Sequence, residues 1–255
     1  MPRAPAPPLQ DKVVLITGAA RRIGAALALA FHERGAKVAV HYRNSEAEAA
    51  KLVAGMNARR QGSAVAIGAD LHDLSALAAL PGATVKALGR LDVLINNAST
   101  FYPTPIGQIT AAQFDDLVGT NLRAPLFLAQ AAAAELRLRE GLILNIADIH
   151  ALRPLQRHAV YCAAKAALVM LTRSLARELG PRVRVNAIAP GPVLWPASGV
   201  DAALRRRIVA RTALKRSGKP ADVAKAALFF ATEAPFVTGE VLAIDGGRLL
   251  AGEDR

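Results

Sequence analysis

Short apolar runs and longer stretches of helical periodicity alternate along almost the whole chain, and that alternation leaves few folds open. Val13–Thr17, Lys37–Tyr42, Ala64–Ala69, Leu91–Asn96, Leu142–Ala147, Arg182–Ala189 and Val241–Ile244 read as strands. Between most of them, Ile23–Arg34, Glu46–Arg60, Ser75–Leu88, Ala111–Glu140, His158–Leu179 and Ala221–Thr232 read as helices. Strands joined through helices must run parallel, with helices covering both faces of the sheet. The expected class is therefore α/β, a doubly wound parallel sheet of about seven strands. No composition break or internal repeat marks a second domain. Residues 11–255 are expected to form one domain, and the proline-rich start, 1–10, a disordered tail.

The formal net charge of +12 raises nucleic acid as a partner. Yet the arginines are scattered, aromatic residues make up only 4 %, and no helix-turn-helix, zinc-finger or RNA-binding signature occurs, so no specific nucleic-acid role is expected. The densest basic stretch, Arg205-Arg206-Arg207 through Arg211, Lys215, Arg216 and Lys219, reads as a solvated helix face and a following loop. Charged residues interrupt every long apolar stretch, so no segment reads as membrane-spanning. Cys162 is the only cysteine. It excludes an internal disulfide, fits a reducing cytoplasm, and reads as a small packed helix residue. No metal site is read from the sequence.

Thr17-Gly18-Ala19-Ala20-Arg21-Arg22-Ile23-Gly24 joins the first strand to its helix. A glycine-rich turn feeding a helix amino terminus is the phosphate-binding device of Rossmann-type sheets, because free N–H groups and the positive end of the dipole face the ligand. Here the middle motif position is Arg22 instead of glycine. Two arginines in a first helical turn oppose the dipole by roughly 0.3 to 1 kcal/mol each, and ask for a compensating anion. About twenty residues on, where an NAD enzyme offers an acid to the ribose, the chain reads His41-Tyr42-Arg43-Asn44-Ser45. There is no carboxylate to grip a 2′-hydroxyl. Arg43, with Arg21 or Arg22 opposite, suits a 2′-phosphate, so NADPH is expected over NADH. Asp70 ends the third strand, placed to meet the adenine, and Asn96-Asn97-Ala98-Ser99 ends the fourth at the same sheet edge.

That edge also receives Asp148, which stands at the carboxyl end of the fifth strand, where open parallel sheets bind ligands. Thirteen positions later comes Tyr161-x-x-x-Lys165, an i, i+4 pair on one helix face. A lysine ammonium beside a phenol is expected to lower the phenol's pKa, letting the tyrosine donate a proton near neutral pH. Each piece has a plainer reading: a loop aspartate is commonly a turn or cap residue, and Y-x-x-x-K recurs by chance. Asn121, inside a helical stretch, reads as a polar core residue or as part of a proton relay.

From Lys12 to about Leu250 the chain resembles short-chain dehydrogenases/reductases, and its details resemble the pteridine reductase subgroup of that family, in its bacterial form. The resemblance lies in Arg22 within the glycine loop, His41-Tyr42-Arg43-x-Ser45, Asn97-Ala98-Ser99-Thr100-Phe101-Tyr102-Pro103-Thr104-Pro105, and Asp148 in place of the family's serine. Pro190-Gly191-Pro192-Val193-Leu194-Trp195 and Val237-Thr238-Gly239-Glu240-Val241 through Arg248 extend it. It implies NADPH-dependent reduction of a pterin, with Asp148, Tyr161 and Lys165 as the catalytic set and Asn121 holding a water behind Lys165. It also implies cofactor contacts at Gly18, Arg21, Ile23, Leu71, Pro190, Gly191 and Val193. Phe101 would sandwich the pterin on the nicotinamide, Ser99 would bond its edge, Arg22 would reach both phosphate and pterin, and Leu155, Leu194 and Trp195 would wall the pocket. Phe101 alone also reads as a hydrophobic anchor of its loop. A homotetramer, with the long helices pairing across subunits, is the implied assembly. An aspartate suits proton delivery to a C=N nitrogen better than hydrogen bonding to a carbonyl. Two alternatives stay open: a reductase of the same fold acting on a ketone or imine such as a 3-oxoacyl thioester, and a non-enzymatic nucleotide- or nucleic-acid-binding protein.

Overall fold

The computed structural model describes residues 8–195 and 201–250. Its strands are β1 (Val13–Ile16), β2 (Lys37–Tyr42), β3 (Ala64–Gly68), β4 (Val93–Asn96), β5 (Leu142–Ile146), β6 (Arg184–Pro190) and β7 (Val241–Ile244). Its helices are α1 (Arg22–Glu33), α2 (Glu46–Arg59), α3 (Leu74–Leu88), α4 (Ala111–Val118), α5 (Ala124–Arg139), α6 (Ala159–Leu179), α7 (Ala202–Ala210) and α8 (Pro220–Thr232). All seven strands run parallel in one sheet, ordered β3-β2-β1-β4-β5-β6-β7. The doubly wound sheet read from the alternation is the observed architecture.

The inner strands are largely apolar because both their faces are covered, whereas the edge strands β3 and β7 are only partly buried. One core holds Val14 and Ile16 of β1 against Leu27 and Phe31 of α1, Met56 of α2 and Val223 of α8. The other holds Val13 and Leu15 against Leu77 of α3, Leu128 and Leu136 of α5 and Leu175 of α6. Successive residues thus alternate between two cores, which is the period-2 geometry of a strand buried on both sides. At the amino edge of the sheet, Asp92 is 4 % exposed; it accepts the Val13 N–H at 2.9 Å and a bidentate Arg90 at 2.6 and 2.8 Å. That clamp fixes β1 against β4. Their carboxyl ends, where the chain order reverses, are left for ligand binding.

Two expectations change, and a third needs a closer look. The long helix expected over Ala111–Glu140 is α4, a π-helical turn over Gly119–Arg123, and α5. Pro125, which lacks an N–H, interrupts the α-type ladder, and Asn121 Nδ2 takes the Leu117 carbonyl at 2.9 Å. Leu9, which fell within the tail expected over 1–10, is packed instead: it is 4 % exposed in the first core, and its N–H bonds the Arg34 carbonyl at 3.0 Å, because a leucine there finds an apolar seat. Residues 1–7 lie outside the described residues. Finally, α6 is long and apolar enough to cross a membrane by length and mean hydropathy, 21 residues at 1.3. It lies on the sheet as a core helix, burying Leu168, Thr172, Leu175 and Leu179 along one face.

Candidate active site

The loop after β1 is held by its neighbours. His41 is 2 % exposed; its Nδ1 accepts the Gly18 N–H at 3.1 Å, so its Nε2–H donates to the Ala69 carbonyl at 3.1 Å. Burial, the largest effect, lowers its pKa and keeps the ring neutral. His41 therefore supports the loop from behind, with no free polar atom to offer a ligand. Asn97 closes the other side, donating to the Thr17 and Gly18 carbonyls at 2.8 and 3.1 Å. Gly18 adopts φ +59°, and a Cβ there would lie 3.0 Å from Ala98 Cα. Arg22 adopts φ +58° at the first position of α1, a left-handed conformation that glycine takes without cost and arginine does not. The α1 amino terminus has no side-chain cap and no acid in its first turn.

Tyr42 packs over Gly68, while Arg43 and Asn44 are exposed beside the loop and Ser45 is partly covered at the start of α2. Arg21 pairs with Glu48 at 3.4 Å, with both side chains largely in solvent, a contact weak enough to be exchanged for a ligand. Asp70 is exposed and caps His72 N at 2.9 Å; Leu71 is buried in the second core, and Ile23 sits half-buried at the loop. Across the cleft, Pro190 and Gly191 leave β6, Val193 packs at 5 % exposure, and Arg22 reaches over to donate to the Trp195 carbonyl at 3.1 Å. Leu194 packs on the first core.

The chemical end lies at the carboxyl ends of β4 and β5. Tyr161 and Lys165 stand one turn apart on α6, 4 % and 2 % exposed. The Tyr161 hydroxyl donates to Asp148 Oδ2 at 2.8 Å, and Asp148 Oδ1 accepts His150 N at 2.8 Å. The aspartate thus caps its turn with one oxygen and holds the phenol with the other. Lys165 Nζ donates to the Ile146 carbonyl at 2.8 Å and lies 5.8 Å from the Tyr161 ring centroid. Burial brings the Lys165 pKa down to about 8, with Asp148 opposing the fall.

The expected fall in the Tyr161 pKa is reversed: burial, and then the Asp148 charge and hydrogen bond, push it well above its usual 10. The ammonium points to a backbone carbonyl and cannot outweigh a carboxylate bonded to the phenol.

Asn121 is fully buried in the π-helical turn; its Oδ1 accepts from Ser99 Oγ at 2.7 Å and its Nδ2 donates to the Thr100 carbonyl at 3.0 Å. It thereby sets the loop that presents Ser99 and Phe101. Phe101 is 41 % exposed, stacked on His158 at 4.7 Å and edge-on to Tyr161 at 4.8 Å. Leu155 packs in the cluster around Tyr161, and its N–H points to Cys162 Sγ at 3.3 Å, which gives the lone thiol its packing role.

Sequence reasoning missed the polar seam beneath the site, in which Asn96 donates to Asn145 at 2.8 Å and Asn145 to Thr172 at 2.9 Å. The signal was there, since an asparagine interrupts each of two otherwise apolar strands. It also missed His158 as a ring partner, for which the sequence carries no signal.

This cleft can hold an anion at its loop end and move a proton at its Tyr161 end, and known proteins share the frame. The enoyl-(acyl carrier protein) reductase family profile matches residues 18–248. Pteridine reductase 1 of Leishmania tarentolae is 34 % identical over 278 residues, covering 92 % of this chain and 95 % of that protein. A 3-oxoacyl-[acyl-carrier-protein] reductase of Staphylococcus aureus is 33 % identical over 240 residues, covering 92 % and 97 %. Among solved structures, a blue fluorescent protein from a metagenomic library, in complex with NADPH, superposes with a TM-score of 0.89 at 35 % identity, covering 94 % and 98 %. Sheet order, site geometry and these matches over nearly the whole length agree that the chain belongs to the short-chain dehydrogenase/reductase family of oxidoreductases.

Proposed function

We propose that the protein is an NADPH-dependent reductase of dihydropterins, acting on a ring C=N bond. The observation that carries this reading is the 2.8 Å bond between Tyr161 and Asp148, a carboxyl group where ketone reductases of the family present a hydroxyl. The protein's similarity to a pteridine reductase supports it. Similarity to a 3-oxoacyl reductase at nearly the same identity keeps carbonyl reduction as the second reading. An NADPH-oxidation assay across dihydropterins and 3-oxoacyl thioesters tests the two: turnover of carbonyls alone would overturn the first.

The residues present fit the dinucleotide. The uncapped α1 terminus and Arg22 suit its phosphates, and exposed Arg43 suits a 2′-phosphate. When bound, NADPH supplies the hydride. The protein's part is to place the acceptor and move the proton. Phe101 offers a face to a planar ring, and Ser99 a hydroxyl to its edge. As hydride arrives, charge develops on the ring nitrogen, and the Tyr161 phenol donates to it. The Lys165 ammonium stabilises the phenolate left behind. Tyr161 is closed to water, whereas Asp148 is only half-buried, so Asp148 passes a solvent proton back to the phenol.

Two outcomes follow. NADPH should exceed NADH at least tenfold in kcat/KM, and Arg43→Ala should reduce the NADPH value far more than the NADH value in steady-state kinetics. The pH profile of kcat/KM should fall as pH rises through about 8, where Lys165 loses its charge. The same shift has a stability sign. Because the folded-state pKa lies below the ordinary 10.5, the protonated lysine costs stability below about pH 8, and the cost is relieved as pH rises from 8 toward 10.5.

We also assign a cytoplasmic location, which suits the unpaired Cys162, and a homotetramer. The exposed apolar residues Leu126 and Leu138 of α5 and Met170 of α6 support helix pairing across subunits.

A further inference from the structure

Beyond Asp148 the chain makes a short turn through Ile149–Ala151, and behind that turn lies a cavity of about 450 Å³. Its walls include His150, Arg153, Leu155, Arg211 and Arg248, and no acidic residue among the described residues lines it. Leu155 belongs also to the apolar cluster around Tyr161, so the cavity and the catalytic cleft share a wall. The arginines come from three separate places in the chain: the loop after β5, the end of α7 and the turn after β7.

Bringing them together is unfavourable without an anion. Burial lowers the pKa of Arg248, and the nearby charges of Arg153 and Arg211 lower it further. Asp245 is the nearest acid by its effect on Arg248, but its two oxygens are taken by the Gly247 and Leu249 N–H groups, each at 2.8 Å. Arg248 Nη1 is buried with no hydrogen-bond partner among the described residues. A buried guanidinium N–H without an acceptor among the described residues costs stability, and an anion held between the arginines would offset their mutual repulsion. Guanidinium forks match carboxylate and phosphate oxygens.

We propose that this cavity is a subsite for the anionic end of the substrate, holding a carboxylate or phosphate on Arg211 and Arg248, beside Arg153, while the reducible ring lies at Asp148 and Tyr161. The proposal rests on the dihydropterin reading and narrows it: the preferred substrate carries an acidic tail instead of a neutral hydroxyalkyl chain.

The test compares three dihydropterins with saturating NADPH: one ending in the glutamate dicarboxylate (dihydrofolate), one ending in a phosphate monoester, and one with a neutral trihydroxypropyl chain. At least one anionic substrate should exceed the neutral one about tenfold in kcat/KM, through KM, since one charge-assisted contact is worth about that factor. Which one does so identifies the tail as carboxylate or phosphate. The double variant Arg211→Ala/Arg248→Ala should remove that advantage and move the neutral substrate less than twofold. Equal efficiency for all three in the unaltered enzyme, or an equal loss for all three in the variant, overturns the subsite. Calorimetric titration of inorganic phosphate, with NADP⁺ saturating the cofactor loop, gives a readout independent of turnover. If no dihydropterin is reduced, the pterin reading falls by itself. Phosphate heat that is present in the unaltered enzyme and lost in the variant then upholds the anion site, and identical titrations reject it.

Discussion

Asp148→Ser is expected to lower dihydropterin turnover by roughly two orders of magnitude, the usual scale for a positioned acid or base, while NADPH affinity changes by less than about twofold. The carboxyl group holds the Tyr161 hydroxyl at 2.8 Å and, in the proposed mechanism, is the group through which a phenol closed to water regains its proton. A serine can donate and accept one hydrogen bond there, but cannot relay a proton by changing its own charge. Asp148→Asn separates charge from shape, because it keeps the size and can still cap His150. It should lose turnover similarly and also move the alkaline limb of the pH profile below about 8, since the Asp148 charge is what opposes the burial penalty on Lys165. Single-turnover kinetics with each variant separates the proton step from binding. Any carbonyl side activity should survive or rise in the serine variant. Full dihydropterin turnover in that variant would reduce Asp148 to a turn residue.

Gly24→Ala is expected to cost the protein its cofactor, with NADPH affinity falling about a hundredfold or the chain failing to fold. A Cβ at Gly24 would lie 2.3 Å from the Gly18 carbonyl and 2.7 Å from both Ala19 Cα and Asn97 Nδ2, so backbone and not merely side chain must move. The displaced atoms are those of the loop that approaches the phosphates. Gly55→Ala is the matched control: it lies within α2 with nothing inside 4 Å of the new methyl, and should stabilise by up to about 1 kcal/mol through helix propensity. Thermal unfolding and NADPH titration of the two variants decide the matter. Equal behaviour would mean that the loop tolerates displacement.

The sheet was legible because each strand is a short apolar run between helical stretches, a pattern that burial on both faces requires. The site was legible wherever a rule of local geometry applied, as with the tyrosine and lysine one helical turn apart or the glycine-rich turn before α1. Helix 111–140 was misread at Pro125, whose missing N–H was a readable interruption; the π-helical turn before it carries Asn121, whose bonds to Ser99 and Thr100 of a distant loop are a tertiary fact. The acidity of Tyr161 was misread for a similar reason. Sequence places the lysine nearby but does not show that its ammonium turns to Ile146 while a carboxylate takes the phenol. Arg153, Arg211 and Arg248 are too far apart in the chain for any spacing rule to join them.

The imidazole behind the nucleotide loop sets a limit of its own. His41 holds Gly18 only while Nδ1 has a lone pair to offer, and it has one only as the neutral ring. Its folded-state pKa lies below the ordinary 6.5, so the stability it lends is present above that value and drains away as the medium turns more acid. In the proposed mechanism Lys165 imposes the reverse condition on the chemistry, being charged only below about 8. The two ends of one cleft thus fail at opposite ends of the pH scale, the grip on the nucleotide in acid and the proton chemistry in alkali. On this proposal, the enzyme's working window is the interval between a histidine that must stay bare and a lysine that must stay charged.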